Sequence, residues 1–347
     1  MVYQYKGKEI HPVIELYHDA IPYVVNVSMR DFFLDKEKCA YAWREGLKIL
    51  QNEIGDICPL RQPTPPPISY GHLICLGCPV QFPQDGEPNV KPIAGSIDEA
   101  IDIMKEKKET DFTKNEWFQH YIEIWDYLKP SFPEFNIPFS GFGSQGPITS
   151  VVLLRGQDFF MDIYDEPEKS KEFIRLMVDS VIEFNKLMRR INKEPEKQEY
   201  GGLCDDFASL ISPTLWPEFV IPAINRQIDG LTTPGARRSV HVESLVPQHL
   251  PLLRDLNISR FQPSVSDALT IENVKANLDP GIMFDWLLYA YHVTEMTDEE
   301  IQEWVDKTVE AGIEIIRTQI GAYGFQVKKV DRVKAFHRAF DKYKSKG

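Results

Sequence analysis

One feature constrains the fold more than any other: short apolar, β-prone runs alternate with long stretches of helical spacing along the whole chain. Apolar runs bounded by turn residues read as buried parallel strands. Eight are expected, at residues 23–27 (YVVNV), 55–58 (GDIC), 136–142 (NIPFSGF), 199–204 (EYGGLC), 239–242 (SVHV), 258–262 (ISRFQ), 281–284 (GIMF) and 313–319 (IEIIRTQ). Helices are expected between them at 36–54, 97–107, 113–128, 167–192, 213–228, 297–311 and 330–343. The clearest is 167–192, where Phe173, Leu176, Met177, Val181, Phe184 and Leu187 repeat at three-and-four spacing. The Ser-Pro pair at 212–213 and TDEE at 297–300 read as helix starts.

Strands interleaved with helices in this number predict an α/β protein, a (β/α)8 barrel of TIM type. The competing architecture is a doubly wound open sheet. No glycine-rich dinucleotide fingerprint follows the first run, which removes the usual form of that alternative. A length of 347 residues fits one barrel domain over 1–347. Residues 1–20 read as an N-terminal extension. The stretch 59–92 is rich in proline and glycine and too long for a βα loop. It is expected as an insertion at the C-terminal mouth of the barrel.

Thirty-nine Lys and Arg against 52 Asp and Glu give a net charge of −13. That excess disfavours nucleic acid and anionic membranes as partners. No run approaches a membrane span, and MVYQYKGKEIH has no secretory character. The five cysteines are not a disulfide framework, so a cytoplasmic protein with reduced thiols is expected.

In a parallel barrel, functional groups project from the C-terminal ends of strands. This rule selects Asp205 and Asp206, His241 and Glu243, Asp285 and Trp286, and Tyr323 beyond the last strand. His241 and Glu243 are two apart on a strand and share a face, which suits a metal pair or an acid/base pair. Asp205 and Asp206 are adjacent, so one is expected to point into the mouth while the other caps a turn. The mouth-facing aspartate adds an oxygen ligand or a base. The catalytic set is therefore Asp205, Asp206, His241 and Glu243, and the metal set is His241, Glu243 and Asp206. The second strand leads into Arg61, a carboxylate anchor, and the insertion supplies Tyr70 and His72. His72, Cys75 and Cys78 have a weak zinc spacing, better read as buried groups. Gln145 lies in a glycine-rich turn (FGSQGPI) and can hydrogen-bond a ligand. Trp286, Tyr289, Tyr291 and Tyr323 can stack on an aromatic substrate.

Three stretches carry a family resemblance: SQGPITSVVLLRGQDFFMDIYDEPEKSKEFI, CDDFASLISPTLWPEFVIP and SVHVESLVPQHLPLLRDLNISRFQP. Together they resemble segments of the uroporphyrinogen decarboxylase-like superfamily, over about residues 31–343. The resemblance implies a distorted (β/α)8 barrel. It implies either cofactor-free decarboxylation of a tetrapyrrole or corrinoid-dependent methyl transfer assisted by zinc. The decarboxylase signature is echoed in NVSMRDFF only by Met29-Arg30, and the glycine-arginine-tyrosine part is absent. A substrate with eight carboxylates needs several guanidinium groups, and the first third of the chain offers only Arg30, Arg44 and Arg61.

The thiol methyltransferases of the superfamily hold zinc with a His-x-Cys pair and a later Cys. Here the pair reads His241-Val242-Glu243, and Gly321-Ala322-Tyr323-Gly324 has no Cys. The sequence is more similar to methyl-ether demethylating members, in which carboxylate and His ligands hold zinc. The resemblance implies zinc as Lewis acid, a small methylated and methoxy-aromatic donor, and a corrinoid carried by a separate partner protein. Barrels that the chain resembles often form dimers, so a homodimer is one expected assembly and the oligomeric state stays open. The alternative function is a metal-free decarboxylase or lyase of the same superfamily.

Overall fold

A computed structural model describes residues 2–264 and 266–345. The strands, in chain order, are β1 (Tyr3–Tyr5), β2 (Lys8–Leu16), β3 (Val80–Gln81), β4 (Asn89–Val90), β5 (Gln198–Cys204), β6 (Thr232–His241), β7 (Arg260–Gln262), β8 (Met283–Leu288) and β9 (Ile315–Ile320). The main sheet runs β1-β2-β9-β8-β7-β6-β5. All its pairs are parallel except β1 with β2. The strands β3 and β4 form a separate antiparallel pair.

Six parallel strands leave a gap between β5 and β2, and two irregular extended segments fill it. Ile68 bridges Phe142 in parallel, with the Ile68 N–H donating to the Gly141 carbonyl and the Gly143 N–H to Ile68. The Gly146 N–H donates to the Cys204 carbonyl at the end of β5, at 2.7 Å. On the other side the Cys58 thiol donates to the Ile14 carbonyl of β2. The ring is thus a (β/α)8 barrel distorted at two staves. Helices 36–54, 116–131, 147–155, 167–191 and 221–231 pack outside it.

Five of the eight expected strands are present with shifted ends, and three are not strands. Residues 23–27 follow the short helix Ala20–Tyr23 and turn at Asn26, whose φ is 60°. Residues 55–58 form the turn that ends the Lys36–Ile54 helix. Residues 136–142 are the irregular third stave. Its partner (TPPPI, 64–68) carries three prolines, which lack the N–H a regular ladder needs. The first barrel strand is β2, inside the stretch read as an extension. Pro12 within it disguises a strand.

The helical reading holds more closely. The expected 167–192 helix is Pro167–Ile191, which buries Phe173, Met177, Val181 and Phe184 against the barrel. Thr297 and Glu300 form a reciprocal capping box on Asp298–Glu310. The 213–228 helix instead opens with single turns of irregular helix, and Ser212 makes no side-chain cap. No helix among the described residues is long and apolar enough to cross a membrane.

Candidate active site at the barrel mouth

Parallel pairing places Cys204, His241 and Gln262 in one row, at the C-terminal ends of β5, β6 and β7. In-register residues on neighbouring strands point the same way. The row therefore turns His241 and Gln262 toward each other, and Gln262 Oε1 contacts His241 Nδ1. A side-chain carbonyl can only accept, so Nδ1 carries hydrogen and Nε2 faces away from Gln262. Nε2 lies 3.3 Å from Asp206 Oδ1 and 3.6 Å from Glu243 Oε1. Asp206, His241 and Glu243 each place a ligand atom within 4.8 Å of the others. Asp206 Oδ1 is buried, and among the described residues it has no aligned hydrogen bond beyond this contact with His241.

Electrostatics follow from this contact. Burial disfavours a charged imidazole, but the Asp206 and Glu243 carboxylates outweigh it and raise His241 to about 10. His241 in turn holds the Glu243 carboxyl below its usual range. The folded His241 value lies above the ordinary 6.5. Its contribution to stability is therefore full below about 6.5 and is lost as pH rises through about 10. In metal-free protein the His241 ring signal in a proton NMR titration is expected to move near pH 10. A midpoint near 6.5 would show that the carboxylates do not face the ring.

Asp205 has a different role from the one expected. It is fully buried, and its carboxylate accepts from the Ile148 N–H at 3.2 Å and the Thr149 N–H at 2.7 Å. These are the first free donors of the Pro147–Arg155 helix, whose N-terminus attracts negative charge. Burial pushes the Asp205 carboxyl up to about 7, against the pull of these donors. The aspartate that turns inward is Asp206, and Asp205 anchors a helix above the end of β5. The anchor depends on Gly146. A Cβ there would stand 2.5 Å from the Asp205 Cβ and 2.7 Å from the Cys204 carbonyl oxygen.

Two cavities open at the ends of the strands β2, β8 and β9. The first, of about 350 Å³, is lined by Glu15, Tyr17, His18, Arg61, Tyr70 and Glu87 among others. Arg61 bonds Glu15 at 2.5 Å, and His18 Nε2 lies 3.0 Å from Glu87. Burial raises the Tyr70 hydroxyl, with the Glu87 and Asp206 charges adding to it, so Tyr70 faces the cluster's field. The second cavity, of about 250 Å³, contains Tyr323 together with Tyr17, Tyr289 and Tyr291. Of the stretch 59–92, residues 64–68 form a barrel stave and not an insertion, while Arg61, Tyr70 and Glu87 line the first cavity. Gln145 sits at the end of the third stave beside β5, with a buried Oε1 that has no partner.

Three other expected residues lie away from the mouth. His72 is buried in the helical layer, bonded to Ser180 Oγ at 2.8 Å and packed on Phe112 and Phe184. Burial lowers it to about 3, so it is a neutral core side chain. Cys75 and Cys78 are buried near it, and their thiols are pushed up by burial. Asp285 and Trp286 stood at the expected end of a strand, but β8 runs on to Leu288. Asp285 is therefore mid-strand and fully buried in the lumen. It meets Arg260 and bonds Arg317 at 3.0 and 3.2 Å, while Arg317 reaches Glu15 at 3.0 Å. Its carboxylate is committed to two guanidinium groups. Trp286, one residue on, faces the opposite side and stacks on Phe284.

Sequence reasoning passed over Glu15, Tyr17, His18 and Asp19 because their strand was assigned to an extension. The alternation in IHPVIELYHD was the available signal.

Comparison with known proteins agrees with this architecture. No curated protein matches the chain. Among solved structures, a methyltransferase from Methanosarcina mazei superposes with a TM-score of 0.65 at 13% identity, covering 96% of this chain and 94% of that one. The model of the uroporphyrinogen decarboxylase (URO-D) family matches residues 71–284, and the chain belongs to that family.

Proposed function

We propose that the chain is a metal-assisted methyltransferase that moves a methyl group from a small methylated donor to a separate corrinoid protein. The observation that carries this reading is the Asp206–His241–Glu243 cluster at the mouth. One imidazole nitrogen and two carboxylates form the hard, mixed donor set of a catalytic divalent ion with an open position. The buried Asp206 Oδ1, met only by His241 among the described residues, is the kind of atom that a metal would satisfy. His241 Nε2, Asp206 and Glu243 would hold zinc. Bound there, zinc would act as Lewis acid on the donor's leaving atom, while a Co(I) corrinoid carried by the partner would take the methyl group.

The chain's own residues supply the rest. Gln262 fixes the His241 ring so that Nε2 faces the carboxylates. Asp205 and Gly146 hold the end of β5, and with it Asp206, in place. The cavity walls orient the donor and exclude water from one side. The test is a spectroscopic assay with zinc-loaded protein, Co(I) cobalamin and a panel of methylated donors, including methoxylated aromatics. Methyl-cobalamin formation supports the proposal, and its absence with every donor overturns it.

A second reading, a metal-free decarboxylase or lyase, is favoured by one observation. Without metal, His241 is held protonated by two carboxylates, as a general acid would be. Arg61 at the rim of the first cavity would then anchor a substrate carboxylate.

A further inference from the structure

We infer that the second cavity is a cage for a small organic ammonium ion with several methyl groups. It lies beyond the ends of β2, β8 and β9 and is lined by Tyr17, Asp19, Tyr289, Tyr291, Gln319 and Tyr323. Four of these six carry phenol rings from three separate segments. Tyr289 and Tyr291 sit edge to face, with ring centroids 6.1 Å apart. Tyr17, Tyr291 and Tyr323 are each at least 40% exposed, so they are not core packing. Rings that converge on one cavity without filling it present their electron-rich faces to whatever enters.

The cavity also holds a fixed negative charge. Asp19 is half-buried, and its Oδ1 accepts from the Ala322 N–H at 3.2 Å. That contact is tight: a Cβ on Gly321 would lie 2.8 Å from the same oxygen. No lysine or arginine lines the cavity, and Asp19 has no cationic ion-pair partner among the described residues. Its carboxyl is raised by burial, against the pull of the Ala322 N–H and the neighbouring His18. An uncompensated carboxylate among aromatic faces selects against anions and gives no advantage to neutral rings. It favours a cation whose charge is spread over methyl groups, because such an ion gains from the rings and sheds water cheaply. About 250 Å³ admits a trimethylammonium or tetramethylammonium group.

The cavity shares Tyr17 with the first cavity, and Glu243 contributes to the raised hydroxyl of Tyr17. That the bound cation is a part of the methyl donor remote from its leaving atom rests on the proposed function; that it binds does not.

Calorimetry on the metal-free full chain, with tetramethylammonium chloride as the probe and neopentyl alcohol as its neutral isostere, tests the cage. Tetramethylammonium is expected to bind at least about tenfold more tightly than the alcohol. Tyr323→Leu and Asp19→Asn are each expected to weaken it about tenfold, whereas the exposed surface change Lys108→Ala leaves it unchanged. Circular dichroism and Tm checks on each variant separate lost binding from lost fold. Equal binding of cation and alcohol, or no binding of the cation by folded wild-type protein, overturns the inference. Cation binding without methyl transfer from any donor of the panel leaves the cage standing and counts against the proposed function alone.

Discussion

Asp285→Ala is expected to cost about 3 kcal/mol of stability, because it takes a fully buried carboxylate away from two guanidinium groups, of which Arg317 is mostly buried and Arg260 partly exposed. Asp285 is fully buried, and Arg260 and Arg317 both converge on it. Arg317 is tied on its other side to Glu15, and Glu15 to Arg61 at the mouth. A charged ladder therefore runs across β7, β8, β9 and β2 beneath the site. Taking one carboxylate out leaves three positive groups facing a single negative one. The loss is expected as a fall in Tm of roughly 5–10 °C. Adding Arg317→Met to Asp285→Ala should recover part of it, since an apolar replacement removes an unpaired charge. A change below about 1 kcal/mol would show that water screens the ladder.

The second large effect concerns activity. His241→Ala deletes the central nitrogen of the cluster and is expected to lower methyl transfer by about a thousandfold or more, given how much one Lewis-acid site supplies. Gln262→Ala leaves all three ligands in place and loosens only the ring. It is expected to lower metal affinity or activity by roughly 10- to 100-fold. The order matters more than the values, and steady-state rates with zinc titration read both. If Gln262→Ala were as damaging as His241→Ala, Gln262 would be a ligand and not a positioning residue.

Much of this arrangement is legible in the amino-acid sequence, for identifiable reasons. The strands β5 to β9 are short apolar runs bounded by turns, so periodicity finds them. His241 and Glu243 stand out because two-residue spacing at a strand end puts both on one face. Adjacency of Asp205 and Asp206 correctly implies that only one turns inward. Their environments decide which: Asp205 is taken by two helix amides, and Asp206 is not.

Other parts of the mouth are hidden by chemistry that sequence rules penalise. Pro12 inside β2 breaks the look of a strand, so Glu15, Tyr17, His18 and Asp19 escape notice. Three prolines at 65–67 make the second stave irregular, and the β-prone runs at 23–27 and 55–58 stand in for it. Asp285 and Trp286 are misplaced by an error of a few residues in the end of β8. That error moves Asp285 from the lumen to the rim and Trp286 to the wrong face. His72 counts among the expected substrate-binding residues because its stretch, 59–92, reads as an insertion at the mouth. Burial among Phe112 and Phe184 makes it a neutral packing group instead.

The central claim is that Asp206, His241 and Glu243 hold a catalytic metal. Plasma mass spectrometry of the purified protein after incubation with zinc, beside His241→Ala treated alike, tests it most directly. The account predicts about one zinc per wild-type chain and none retained by the variant. No bound metal in the wild-type chain would contradict it, and would leave His241 as a protonated acid between two carboxylates.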